Sequence, residues 1–428
     1  MFRTLLCLTI GLCANNLFAE TKLDDWPQFR GPERSGLSTS TNLLTEWPEE
    51  GPPLLWKATG AGRGYASVAI SGERFVTMGD APSTADDDED EYLLCFNVES
   101  GKQIWKTHLG DPWNRHGSDD WNSSRSTPTI DGSRVFALTA HGELVCCEMA
   151  DGREVWRKHL QDDFGGKKDD SWGYGESVLI DGDHLICTPG GTENTMVALD
   201  KSNGDLIWSC VREDDRGAGH ASVVISEVGS TKVYVQTTGS GALGVRASDG
   251  ELMWSYEIDK TTAVIPTPII RDDLVFFTAG YGRGGALLKQ VAGDGGTVSM
   301  EEVYPLSKNL QNKHGGVVLV GDFLYGDTDS KGIPYCAEFM TGKNRWKSRG
   351  SGKGSASVTA ADGHLYFWFS KSATMALVKA SPDRYEEVSS FKIEEGSDRP
   401  TWAHPVILDG RLYLRKDDAI CCYNLQKK

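Results

Sequence analysis

Five polar side chains stand at the head of short apolar runs. Arg125 precedes STPTI, Glu176 precedes SVLI, His220 opens HASVVI, His314 opens HGGVVLV and His404 opens HPVIL. An Arg beside a carboxylate keeps that carboxylate ionised, and imidazoles add polar, titratable contacts. Gathered at one opening, the set suits a small polar or anionic ligand, or a peptide segment of a partner. It suits a bulky apolar ligand poorly. Arg63, Tyr65, Asn122, Trp172, Lys353 and Trp402 occupy comparable places and would add aromatic and charged wall. Each residue taken singly has a structural reading, and only the ring as a whole points to a site. No catalytic role follows from these residues. HExxH, GxxxxGK[ST] and GxSxG do not occur in the sequence.

Side chains so distant in sequence meet only if a repeating architecture brings them together. CFNVESGKQIW, ending at Trp105, returns as CCEMADGREVW (Trp156), ALDKSNGDLIW (Trp208), GVRASDGELMW (Trp254) and CAEFMTGKNRW (Trp346). Every copy has Gly four residues before Trp: Gly101, Gly152, Gly204, Gly250 and Gly342. Every copy also starts on a small residue: Cys95, Cys146, Ala198, Gly244 and Cys336. The spacing predicts a degenerate copy near Tyr304 and a further one at Trp56. A period of about 50 residues matches one four-stranded propeller blade. Within a copy, two strands flank a turn whose Gly tolerates positive φ, and the Trp packs between blades. Asp131-Gly132, Asp181-Gly182, Asp362-Gly363 and Asp409-Gly410 read as tight links between a blade's first two strands. The expected fold is all-β, an eight-bladed propeller over residues 51–428, with seven blades if the degenerate copy is no blade. The strand around Trp56 completes the last blade, and residues 20–50 form an N-terminal extension.

The eleven-residue pattern resembles the tryptophan-docking repeat of the pyrroloquinoline-quinone (PQQ) propeller superfamily, whose fold is that of quinoprotein alcohol dehydrogenases. WPQFRGP, WGYGESVLIDGDHLICTPGG, IPTPII, HGGVVLVGD and WAHPVILDGRLYLR are similar to the secreted PQQ-like repeat proteins of planctomycete-type bacteria. That resemblance implies one of two functions. The first is a binding or scaffolding module, like the propeller lipoprotein of the outer-membrane barrel-assembly machinery. The alternative is a periplasmic PQQ-dependent dehydrogenase oxidising an alcohol or sugar, with PQQ and calcium in the channel. The chain departs from such enzymes in being shorter, in lacking a matching Asp-Glu-Asn calcium set, and in lacking a haem motif.

The opening MFRTLLCLTIGLCANNLFA has a cation followed by a short apolar run and reads as a signal peptide, 1–19, so the product is expected to be periplasmic or extracellular. No metal site, membrane span or nucleic-acid partner is expected. The net charge of −17 repels phosphate backbones, and the expected state is a monomer. The acidic run Asp86 to Glu91 reads as a solvated loop.

Ten Cys occur, two of them within the signal peptide. Cys95, Cys146, Cys336 and Cys422 share the small-residue position of the repeat, so they read as core thiols rather than disulfides. The adjacent pairs Cys146-Cys147 and Cys421-Cys422 lie inside strands, where alternation sends one side chain to each face. We expect these thiols to resist alkylation in the native protein and to react fully after denaturation. Mass spectrometry that found them disulfide-linked would contradict this assignment.

Overall fold

Eight four-stranded antiparallel sheets form a ring in the computed structural model, which describes residues 25–80, 90–114, 122–329, 331–394 and 397–427. The proposed signal peptide lies outside the described residues. Blade one comprises Ala69–Ser71, Arg74–Asp80, Glu91–Asn97 and Gln103–Gly110. Blades two to seven follow in chain order at 129–159, 179–210, 224–257, 269–307, 317–347 and 356–392. The eighth uses 406–424 and takes its outer strand, Leu54–Ala58, from the other end of the chain. Trp56 pairs there with Cys422, and the N-terminal strand gives the last blade its fourth strand, so the ring closes with only short outer edges. Among the described residues no helix is long and apolar enough to cross a membrane.

The repeat pattern has a direct packing cause. Trp105, Trp156, Trp208, Trp254 and Trp346 each lie opposite the small residue of their own repeat, Cys95, Cys146, Ala198, Gly244 and Cys336. In blade five the opposite residue is Leu287, and the smaller ring of Tyr304 replaces Trp. Each ring then reaches the next blade. Indole N–H groups of Trp56, Trp105, Trp156 and Trp208 donate to the carbonyls of Val98, Met149, Lys201 and Ala247, at 2.9 to 3.2 Å. Tyr304 repeats the contact through its hydroxyl to Phe339, and Trp346 through its indole to Ser381. The repeat glycine does more than turn the chain. A Cβ on Gly101 would fall 2.6 Å from the Trp56 ring, and one on Gly152 would fall 2.6 Å from Trp105. Phe391 of blade seven docks in the same way on Gly51, which belongs to the N-terminal segment.

The Asp-Gly pairs link the first two strands in two registers. In blades seven and eight both residues have positive φ, as a type I′ turn demands. In blades two and three the Asp ends the strand and only Gly is left-handed.

All eight cysteines among the described residues are buried and unpaired. Cys146 and Cys147 point into different inter-blade cores, as do Cys421 and Cys422. Burial pushes the Cys95, Cys146, Cys336 and Cys422 thiols up to about 12.

The acidic run requires a correction. Asp86 to Glu89 lie outside the described residues, and Asp90 pairs with His108 at 2.9 Å. Glu91, however, opens a strand of blade one and is fully buried. Burial raises its pKa to about 8. The strand begins one residue earlier than a purely solvated run allows.

Residues 25–50 form no regular element, yet they cross one end of the channel. Trp26 bridges Ile70 of blade one, and the Pro27 carbonyl accepts from Ile130 of blade two. Arg34 donates to Ser177 and Val178 at blade three and to Val223 at blade four. Arg30 reaches Val317 of blade six, Ser38 reaches Ala360 and Ile407 of blades seven and eight, and Trp47 packs into the core between those two.

Removing residues 51–60 should strip the outer strand from blade eight and expose its edge. We expect a large fall in melting temperature and aggregation on size exclusion. Trp56→Ala alone should cost about 3 kcal/mol, the low end for a Trp truncation, because the ring is only partly buried. An unchanged melting temperature with monomeric elution of the deletion would refute the closure.

Candidate functional site

Strand pairing places all eight inner strands in a common register. Two levels of that register face the channel, because side chains two residues apart share a face. The upper level holds Tyr65, Arg125, Gly175, His220, Ile265, His314, Ser355 and Trp402. The lower level, two residues on, holds Ser67, Thr127, Ser177, Ser222, Thr267, Gly316, Ser357 and His404. The lower hydroxyls stitch blades together. Backbone N–H groups of Ser67, Thr127, Ser177 and Ser222 donate to the hydroxyls of Thr127, Ser177, Ser222 and Thr267 in turn, at 2.9 to 3.2 Å. Ser67 donates on to the carbonyl of His404 at 2.6 Å.

A cavity of about 290 Å³ lies at these levels. Its walls are Tyr65, Arg125, Trp172, His220, Ile265, Tyr281, Lys313, His314, Trp402 and His404, and its floor is Phe29 and Arg30 from the N-terminal segment. Aromatic contacts fix the wall: His314 stacks on Trp402 with centroids 4.3 Å apart, and Tyr65 lies 4.6 Å from Trp402. Phe29 meets His404 edge-on at 4.8 Å.

Four of the five predicted residues, Arg125, His220, His314 and His404, line this one cavity. His404 sits one level deeper than the other three. Glu176 does not join them. It stands one residue out of step, between the two levels, and its side chain points into the blade. Ala66, Ser126, Ala221, Pro266, Gly315, Ala356 and Ala403 fill the same position in the other blades, so Glu176 is the one large residue there. Its carboxylate accepts from the Thr188 N–H at 2.8 Å, the Thr188 hydroxyl at 3.2 Å and the Gln236 amide at 3.2 Å. Burial raises its pKa to about 7. Glu176 therefore ties blade three to blade four instead of gripping a ligand. Arg63 is likewise drawn off, to buried Asp80 at 2.9 Å, and Asn122 and Lys353 do not line the cavity. Aligning the eight inner strands by their Ser or Thr would have exposed Glu176. The floor residues Phe29 and Arg30 carry no repeat signal at all.

The imidazoles depart from the expectation of groups titrating near neutrality. Burial, reinforced by Arg30, lowers the His404 pKa to about 3. Burial with Lys313 and His220 nearby holds His314 well below its usual value. Burial also lowers His220, although Asp170 lies 3.0 Å from its Nε2 and opposes the shift. His404 and His314 are neutral at pH 7. Burial disfavours the Asp170 carboxylate, yet His220 and Lys168 hold it below the ordinary range. Burial lowers Arg125.

A calcium ion takes six to eight oxygen ligands, with carboxylates prominent among them. No Asp or Glu among the described residues lines the cavity. Among those residues no group of three His, Cys, Asp or Glu side chains could hold a metal ion. The donor set does not fit a calcium-bound quinone, and no catalytic step through one follows from these residues.

Because Glu176 accepts three hydrogen bonds in a buried place, Glu176→Ala should destabilise the protein by about 1 to 3 kcal/mol, the cost of stranded buried donors. Denaturant unfolding measures this, and a loss below about 0.3 kcal/mol would show that the carboxylate carries no structural role.

A family model described as outer membrane protein assembly factor BamB matches residues 89–348, more than half of the chain. Relatives of that name include the protein of Kangiella koreensis, 22% identical over 194 residues that cover 44% of each chain. That of Xanthomonas campestris pv. campestris is 25% identical over 206 residues, 47% of this chain and 44% of the relative. The matched region thus spans less than half the length of these curated relatives. Among solved structures, BamB from Moraxella catarrhalis superposes with a TM-score of 0.58 at 14% identity, covering 88% of this chain and 98% of that one. Quinohemoprotein alcohol dehydrogenase from Comamonas testosteroni gives 0.62 at 10% identity, covering 95% and 81%. At such identities these two show the fold alone. From the family match and the eight repeat-built blades together, the chain belongs to the PQQ-like repeat β-propeller family described as outer membrane protein assembly factor BamB.

Proposed function

We propose that this chain is an exported, monomeric binding or scaffolding module whose channel cavity receives a small polar ligand or a segment of a protein partner. One observation carries the reading. Side chains from separate blades, Tyr65, Arg125, His220, His314 and Trp402, converge at one level on a cavity that the chain's own N-terminal segment floors. Concave sites with aromatic walls and a few convergent polar groups are the usual form of ligand pockets. The name of the matched relatives, an assembly factor, supports the scaffolding half of the reading. The apolar run before Ala19 supports export.

Arg125 is the residue to test, because it faces the cavity at the upper level, where ligand enters. In a thermal-shift screen of small polar metabolites and short peptides, hits should bind wild-type protein. They should bind Arg125→Ala about tenfold more weakly, the equivalent of one charge-assisted hydrogen bond. The variant should melt within a few degrees of wild type. Hits whose affinity is untouched by the substitution would place binding elsewhere. Dye reduction on adding PQQ, Ca²⁺ and a panel of alcohols would replace the binding reading with a catalytic one.

A further inference from the structure

The chain has a formal charge of −17, yet its channel cavity is lined by cations and no anion among the described residues. Arg30, Arg125 and Lys313 are the charged lining residues. A cleft of one sign with low-dielectric walls concentrates counter-charge.

Arg30 is left unbalanced by its surroundings. It is only 3% exposed. Its Nε donates to the Arg34 carbonyl at 3.2 Å, and its Nη2 to the carbonyls of Ser35 and Val317 at 2.9 and 2.6 Å. Nη1 is buried with no partner. Its neighbour Arg34 differs. The Arg34 donors are taken by Gln28, Ser177, Val178 and Val223, and although burial lowers its pKa to about 10, the Glu176 charge opposes that shift. No carboxylate among the described residues opposes the shift at Arg30, where burial likewise lowers the pKa to about 10, so it remains a cation. A buried charge without its counter-charge is costly.

A second orphan sits beside it. His404 is 7% exposed, and its Nδ1 has no partner. Its Nε2 faces the carbonyl of His314 at 3.4 Å, which places the ring proton on Nε2 and leaves Nδ1 an acceptor. Between the two stands Gly316, the one lower-level position without a side chain. A Cβ there would lie 2.4 Å from Arg30 Nη1 and 3.5 Å from His404 Cε1. An unpaired cationic donor and an unpaired neutral acceptor therefore lie close together at the cavity floor, with Arg30 Nη1 filling the place a side chain on Gly316 would take.

We propose that this floor is a subsite for a small hydroxy acid: Arg30 Nη1 donates to the ligand's carboxylate, and His404 Nδ1 accepts from the hydroxyl beside it. The organic body of the ligand lies against Trp402 and Tyr65. The inference rests on the reading of the cavity as a ligand site and names the ligand class of that site.

Three aromatic probes separate the terms. Mandelate carries carboxylate and hydroxyl, phenylacetate lacks the hydroxyl, and mandelamide lacks the charge. Titrations of the full-length protein by calorimetry and by quenching of Trp fluorescence should rank mandelate at least tenfold tighter than mandelamide. Mandelate should bind about fivefold tighter than phenylacetate, the worth of one neutral hydrogen bond. His404→Phe should bring mandelate down to the level of phenylacetate while phenylacetate itself is unmoved. Arg30→Gln should erase the preference for acid over amide. Because Arg30 also anchors the N-terminal segment, that variant could fail to fold, and the wild-type comparison of acid with amide decides the matter without it. Equal affinity for mandelate and mandelamide would overturn the subsite and leave the cavity reading intact. Binding of none of the three, with short peptides binding instead, would overturn the subsite in favour of a protein segment. Silence from all probes and peptides would overturn both.

Discussion

One contact recurs around the ring and everything else depends on it: the outer-strand aromatic of one blade lying on the repeat glycine of the next. The ring buries a face that no single blade could cover, and its N–H or O–H donates to a carbonyl of the neighbouring blade. Glycine is required twice over at these positions, once for its left-handed backbone and once because a Cβ would strike the aromatic ring. The contact is also self-limiting. Where the residue opposite is Leu287 the aromatic shrinks to Tyr304, so the volume between blades is conserved. Blade eight has no following repeat in sequence, and Trp56 supplies the contact to Gly101 from the N-terminal strand.

A ring built in this way presents its inner strands to a common axis with a common register. The channel is then a stack of levels, each with one residue per blade. Six of the eight lower-level positions hold Ser or Thr, and consecutive ones are linked by backbone-to-hydroxyl hydrogen bonds. Those bonds satisfy backbone N–H groups that are buried between the inner strands, where an unpaired donor would be costly. The two departures are Gly316 and His404, and both lie where the N-terminal segment enters. The departures from the repeat thus line the cavity, while the conforming positions hold the scaffold.

The N-terminal segment has a part in both stability and site. Its two arginines adopt left-handed backbone, at φ 66° and 52°, which non-glycine residues seldom do. They are held there by carbonyls at the channel end of several blades rather than by any strand of their own. The same crossing that seals the channel sets Phe29 and Arg30 under the cavity.

The repeat, its period and its small-residue and aromatic positions were legible in the sequence, and with them the eight blades, the strand swap at closure and the buried thiols. These follow from local pattern: a side chain's packing partner is set by its place in an identical unit. The convergence of Arg125, His220, His314 and His404 was legible for the same reason, since each precedes an inner strand. The fate of Glu176 turned on a single residue of register, because one step along a strand reverses the face, and the distance to the strand alone does not reveal that step. The channel floor was not legible at all. Arg30 and Phe29 belong to a coil without period, and only closure of the ring brings carbonyls from six blades close enough to fold that coil across the axis. Sequence by itself determined which units exist and how they join; the tertiary structure alone decided which faces of those units look at one another.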